Sequence, residues 1–177
     1  APPPARAPAP APPAAPPGNL PAPPSAPSDR WLALALLWAA LALSFFDKQT
    51  LASCFEPLKS DLGLSDAELG FLAGPAAVAF GALFGVAIAR RSDRGCRRDI
   101  LSVCVFCWAI ASTACSFAGS FGGLALFRVA AGVGESGCVP ISHSLISDFF
   151  PVEQRARAMS LFYTGIPAGV LLGIFVG

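Results

Sequence analysis

Residues 100–127 read ILSVCVFCWAIASTACSFAGSFGGLALF, a run of 28 residues without one charged side chain. A membrane-crossing helix needs about 20 residues at roughly 1.5 Å each, so this run is too long for a single crossing. Gly119, Ser120, Gly122 and Gly123 interrupt it as a tight turn would. The spacing predicts two antiparallel helices, over 99–118 and 122–147. In lipid every backbone N–H and C=O must find a partner within its own segment or in a closed barrel, which favours helices for runs of this length.

Working outward, residues 31–46 (WLALALLWAALALSFF) are also uncharged, and with Asp47 and Lys48 included the segment extends over 31–53. Residues 69–89 form another uncharged run, preceded by Ser65 and Glu68 in the spacing of a capping box, which predicts a helix over 66–90. Downstream, a polar stretch from Asp148 to Arg157 separates the fourth span from a fifth, over 157–177. The expectation is an all-α membrane protein with about five crossings in residues 29–177. Residues 1–28 hold 13 of the 18 prolines and are expected to form a disordered tail with polyproline II character. The chain starts at Ala1 and stops at Gly177 inside an apolar stretch, so it is read as a fragment at both ends.

With 54% hydrophobic and 13% charged residues, the composition argues against a soluble globular domain. The net charge is +1 and the arginines gather at segment ends, leaving no basic face for a phosphate backbone, so no nucleic-acid partner is expected. Their distribution sets the orientation, because connections rich in Lys and Arg stay on the cytoplasmic side. The second connection carries Arg90, Arg91, Arg94, Arg97 and Arg98, and the fourth carries Arg155 and Arg157. The first has Lys59 among Glu56, Asp61 and Asp66, and the third is uncharged, which predicts a cytoplasmic N-terminus.

Three weaker signals point elsewhere. Leu51, Ala52, Ser53 and Cys54 resemble a lipoprotein cleavage site, but Asp47 and Lys48 lie where such signals are uncharged, so an uncleaved anchor is expected. Cys104 and Cys107 have C-x-x-C spacing with no second pair or histidine to complete a tetrahedral site, so neither a metal nor a cofactor is expected. Gly134-Glu135-Ser136-Gly137 matches the G-x-S-G of intramembrane serine proteases. Ser136 and the single histidine, His143, are seven residues apart on one helix, roughly 10.5 Å along its axis, too far for the base to reach the serine. No enzyme is expected, and a protease or a non-transporting receptor or scaffold is the alternative.

Glycines recur every four residues at Gly70 and Gly74, at Gly81 and Gly85, and at Gly165, Gly169, Gly173 and Gly177, a spacing that lets helices approach closely. Pro75, Pro140 and Pro167 fall inside spans and are expected to bend them. The costliest residues are Asp47, Lys48, Arg128 and Glu135, charges inside hydrocarbon that need partners or a water-lined cavity. Asp47 and Arg128 both fall roughly 9 Å below the outer edge and are expected to pair, with Lys48 competing for Asp47 and Glu135 for Arg128. Glu135, nearly two turns beyond Arg128, points the same way roughly 10 Å deeper.

Arg128-Val-Ala-Ala-Gly132-Val-Gly134-Glu135 resembles the R-x-x-x-G-x-G-E of the fourth helix in spinster-like members of the major facilitator superfamily. The passage from Leu145 to Gly173 is similar to the spinster-like connection between helices four and five, and SFFDKQ resembles that branch's N-Y-x-D-R. The second connection, ARRSDRGCRR, resembles the superfamily's G-x-x-x-D-R-x-G-R-R loop through Asp93, Arg94, Arg97 and Arg98, but has Ala89 and Cys96 where glycines are usual. The resemblance implies the N-terminal bundle of a twelve-helix, two-lobed carrier working by alternating access. It implies a small organic or lipid-like solute, the remaining C-terminal lobe as a partner, and no cofactor. It also implies a proton-coupling and cavity role for Asp47, Lys48, Arg128 and Glu135 and a cytoplasmic gating role for the loop. Gly132, Gly134, Gly165 and Gly169 are assigned to helix packing.

Overall fold

The computed structural model describes residues 27–73, 75–92 and 94–176. Residues 1–26 of the expected tail, with Gly74, Asp93 and Gly177, lie outside the described residues. The described residues are helical apart from short connections: α1 (Pro27–Ser53), α2 (Phe55–Leu62), α3 (Asp66–Ala73), α4 (Pro75–Ser92), α5 (Arg97–Cys115), α6 (Phe121–Ser136), α7 (Cys138–Phe149), α8 (Val152–Tyr163) and α9 (Gly165–Val176). Four segments are each long and apolar enough to cross a membrane: Asp29–Ser53, Arg97–Cys115, Phe121–Phe149 and Val152–Val176. Within the expected second crossing, 66–90, α3 runs up to Ala73 and α4 from Pro75, with Gly74 between them outside the described residues, and α4 ends on Arg90, Arg91 and Ser92.

Several expected boundaries move, for local reasons. Ser53, Ser136 and Tyr163 end α1, α6 and α8, and each stands four residues before a proline: Pro57, Pro140 and Pro167. A proline has no N–H to give the carbonyl four residues back, so each helix loses a hydrogen bond at that residue and resumes beyond it. The expected single helices over 122–147 and 157–177 are therefore each two pieces in line. The last of them starts at Val152 rather than 157, because the polar residues Glu153 to Arg157 are helical and the stop is Pro151. The first starts at Pro27 rather than 31, with Asp29 in its first turn beside the helix's positive end. The third ends at Cys115 rather than 118. Beyond it the amides of Ser116, Phe117 and Ala118 bond carbonyls three residues back, a tightened final turn.

The short α2 in the first connection was not expected. It closes on Gly63, whose φ of 63° and ψ of 34° form the left-handed cap that glycine adopts without strain, its N–H donating to the Lys59 carbonyl. Lys59 then pairs with Asp66. That carboxylate, hydrogen-bonded to the ammonium, holds the Lys59 amine above its ordinary value of 10.5. The capping box at Ser65 is formed: Glu68 N–H donates to Ser65 Oγ at 3.3 Å and the Ser65 N–H to Glu68 Oε2 at 2.8 Å. Ser120 caps α6 by accepting from the Gly123 N–H at 3.3 Å.

α1 packs along α8 and α9, while α6 lies between α4 and α5. Leu34, Leu37 and Leu41 meet Ile141, Leu145, Ile146, Phe150 and Phe162 in the main apolar core, toward the end where the arginines gather. At the opposite end, where α5 turns into α6, a smaller core joins Leu64, Leu69 and Leu72 to Leu124. We call these the arginine end and the hairpin end. The contacts that hold the helices close are backbone on backbone. A Cβ added at Gly134 would fall 2.7 Å from the Trp108 nitrogen, and one at Gly169 only 2.1 Å from the Ala42 carbonyl oxygen. At Gly165 it would meet the Trp38 carbonyl at 2.9 Å, and at Gly81 the Gly132 carbonyl at 3.2 Å.

Because the atom facing Gly169 is main chain, it cannot swing aside. Gly169→Ala is expected to destabilise the bundle by about 1–3 kcal/mol, the usual range for overpacking. Gly122→Ala, where nothing lies within 4 Å, should change little or stabilise slightly. Thermal melting of the two detergent-solubilised variants decides the point, and equal melting temperatures would contradict the tight α1–α9 contact.

Candidate functional site

Three helices bring the buried charges together. Asp47 and Lys48 lie near the end of α1, Arg128 in the middle of α6 and Glu135 near its close, with α5 alongside. α1 and α6 run in opposite directions. Nη1 of Arg128 donates to Asp47 Oδ2 at 3.0 Å, the expected pair. Ser112 of α5 donates its hydroxyl to the other oxygen, Oδ1, so one carboxylate ties three helices. The guanidinium is 11% exposed and the carboxylate 25%, which leaves little solvent to screen the attraction.

Glu135 does not compete for Arg128. Its Oε1 accepts from the Ser44 hydroxyl and from Lys48 Nζ. Ser44 and Lys48 are four residues apart and so share one face of α1. Ser44 stands opposite Glu135 and reaches it directly. Lys48 starts one turn nearer the hairpin end, and its long chain carries Nζ to the same oxygen, passing 4.8 Å from the centre of the Phe45 ring. This second pair is wetter, with Lys48 47% and Glu135 21% exposed. Lys48, expected to compete with Arg128 for Asp47, pairs with Glu135 instead. Neighbouring residues on a helix diverge by about 100°, and Lys48 follows Ser44 rather than its own neighbour.

Two polar atoms are left over. Arg128 Nε and Thr50 Oγ1 are buried with no hydrogen-bond partner among the described residues, although such atoms are nearly always paired. Both residues line a cleft of about 230 Å³ that also holds Asp47 and Ser112. Beside Glu135 there is only a gap of about 10 Å³, walled by Leu37, Leu41 and Phe162. Ser44, Thr50 and Ser112 were not singled out in the sequence. The available signal was spacing: Ser44 and Lys48 repeat at four residues on the helix that carries the charges.

At the arginine end, Arg97 pairs with Asp148 of α7, which fastens the start of α5 to the end of the fourth span. Arg155 Nε donates to the Phe150 carbonyl at 3.0 Å. Arg94 and Arg98 are exposed, and Asp93 lies outside the described residues. Gly132 and Gly134 place the α6 backbone against α4 and α5, and Gly165 and Gly169 place α9 on α1. The protease pattern is not assembled. Ser136 donates to the Val133 carbonyl at 2.7 Å, while His143 Nε2 lies 2.8 Å from the Tyr163 hydroxyl. Cys104 is buried against Gly134 and Gly137, whereas Cys107, one turn on, is exposed.

Comparison with known proteins places this geometry in a family. The model of the Major Facilitator Superfamily matches residues 37–177, a stretch that contains the whole charged cluster. The chain is 29% identical over 141 residues to an MFS-type efflux pump of Mycolicibacterium smegmatis, covering 80% of this chain and 33% of the pump. It is 28% identical over 151 residues to protein spinster of Drosophila melanogaster, covering 84% and 24%. Among solved structures, a bacterial homolog of the human lysosomal transporter Spinster, in an inward-facing and unoccupied conformation, superposes with a TM-score of 0.80 at 36% identity. That match covers 84% of this chain and 31% of the other. The chain thus spans a third or less of the length of these relatives. A multi-pass helical bundle of this fold, matched by the family model over four-fifths of its length, belongs to the Major Facilitator Superfamily and within it is similar to the spinster proteins.

Proposed function

We propose that these residues are the first part of an alternating-access carrier that moves a small organic or lipid-like solute across a membrane, coupled to protons at Glu135 and Asp47. The observation that carries this reading is the pair of ion pairs, Asp47–Arg128 and Lys48–Glu135, joining α1 to α6 inside the span. Charges in that position are costly, and a bundle that needed only to stand still is served as well by apolar packing. Two acids and two cations can instead exchange partners as helices shift, which couples protonation to conformation. The solute binds at mid-membrane between this lobe and the C-terminal lobe of the same protein. The N-terminus and the arginine end face the cytoplasm, on the distribution of arginines. Asp93, Arg94, Arg97 and Arg98 latch the two lobes there.

Glu135→Gln mimics the protonated acid. In the full-length protein in vesicles, this variant is expected to exchange solute passively and to lose accumulation driven by a pH gradient. Accumulation at the wild-type level would place the proton site elsewhere.

Removing one member of the Asp47–Arg128 pair leaves the other charge buried. Arg128→Gln alone is expected to destabilise the protein by about 3–5 kcal/mol, and Asp47→Asn with Arg128→Gln by much less than the two single changes added. A double-mutant cycle on unfolding in detergent measures the coupling, and additive effects would mean that the two groups do not hold each other.

The latch is separable from topology. Asp93→Asn removes no positive charge, so insertion should be normal while solute flux falls several-fold. Unchanged flux in that variant would leave the loop with an orienting role only.

A further inference from the structure

We infer that the cleft at the hairpin end is a hydrated passage through which Asp47 exchanges with solvent. The inference rests on the carrier reading for its use but not for its existence. The cleft lies between the end of α1, the end of α5, the start of α6 and α2. Its volume of about 230 Å³ is many times the roughly 10–15 Å³ that one water needs on the same measure.

Its lining says what the occupant must be. Arg128 Nε has an N–H with no acceptor, and Thr50 Oγ1 can both give and take a hydrogen bond. Ser112 and Ser116 add hydroxyls to the wall. An anionic ligand would satisfy Arg128, but it would sit against the Asp47 carboxylate, which already neutralises the guanidinium. Water meets every requirement at once: it accepts from Nε, bonds either way to Thr50 and donates to Asp47. The exposed Cys54, and Leu58 of α2, also line it, and we take them as its mouth.

Around Asp47 the titratable and charged groups are Arg128 from α6, Cys115 from α5, and Lys48 and Cys54 from α1 and its end. α2 offers Leu58, and α9 meets α1 through Gly165, Gly169 and Gly173. Glu135 lies two turns farther from this end; the gap on one side of it holds about one water, and its side chain is 21% exposed beside Lys48. A hydronium entering from the hairpin end therefore reaches Asp47 first. It leaves its proton on the carboxylate and departs as water, and Arg128 loses its charged partner.

The native thiols give the test. Cys115 lines the cleft, whereas Cys104 is buried on the same helix against α6. Two variants of the full-length protein, each keeping one of these cysteines with the others changed to serine, are treated in vesicles with a hydrophilic cationic methanethiosulfonate. Cys115 is expected to react at least tenfold faster than Cys104, and Leu58→Trp at the mouth to slow it several-fold. Leu58 is partly buried against the smaller core, so an unchanged melting temperature of Leu58→Trp is required alongside the slower labelling. Equal rates at the two thiols, or a Cys115 rate that Leu58→Trp does not change, would overturn the passage. Labelling reads water access alone, so it succeeds or fails independently of whether Glu135→Gln abolishes gradient-driven transport.

Discussion

An arginine inside a membrane-spanning helix must be neutralised where it stands, and the arrangement of α1, α5 and α6 follows from how Arg128 meets that requirement. Asp47 answers it from α1 at 3.0 Å, and Ser112 of α5 steadies the carboxylate from the other side. Side chains as short as serine reach across only if the backbones are close. Gly134 supplies that closeness between α6 and α5, where even a Cβ would collide with the Trp108 nitrogen. The same logic repeats on the other flank of α1, where Gly165 and Gly169 seat α9 against Trp38 and Ala42. The glycines and the charges are thus one device: the first set the distance at which the second can pair.

The crossing pattern was legible in the sequence because lipid imposes it. Runs such as 31–46 and 100–127 have no stable alternative to a helix of membrane length. The breaks were harder to see. Pro140 and Pro167 were read as bends, and the helical hydrogen bonding is interrupted four residues upstream of each, at Ser136 and Tyr163; Pro57, beyond the first span, does the same at Ser53. A sequence-level rule based on apolar runs passes over these points, since the residues on both sides remain apolar. The opposite error affected Val152 to Arg157, where polarity was taken as a stop although a helix ends for backbone reasons and not because its side chains meet water.

Within the site, the identity of the four charged residues was legible because each is expensive in hydrocarbon, but their partners were only half legible. Asp47 and Arg128 share a depth, and depth can be counted along two helices. Lys48 and Glu135 do not share one, and they meet because a lysine chain is long enough to run back a full turn along α1 past Phe45. Reach of that kind is invisible to counting. Ser44 and Ser112 were missed for a different reason: serine is common in membrane spans, and only the carboxylates they bond give them meaning.

The two pairs differ in ways that matter for a carrier of the kind proposed. Arginine presents a rigid fork that holds a carboxylate directionally, whereas lysine is a mobile point charge on a flexible stem. Asp47–Arg128 is the drier pair, and the proposed passage from the hairpin end leads to it; Lys48–Glu135 is the looser and more exposed pair and lies farther from that end. A directional pair and a loose one are not interchangeable. Protonating Asp47 frees Arg128 beside a helix face that carries Glu135 two turns deeper, and the lysine that now holds Glu135 is the easier of the two cations to displace. In the carrier proposed, partner exchange would run along α6 from the hairpin end toward the arginine end, its direction set by which acid lies nearer the passage.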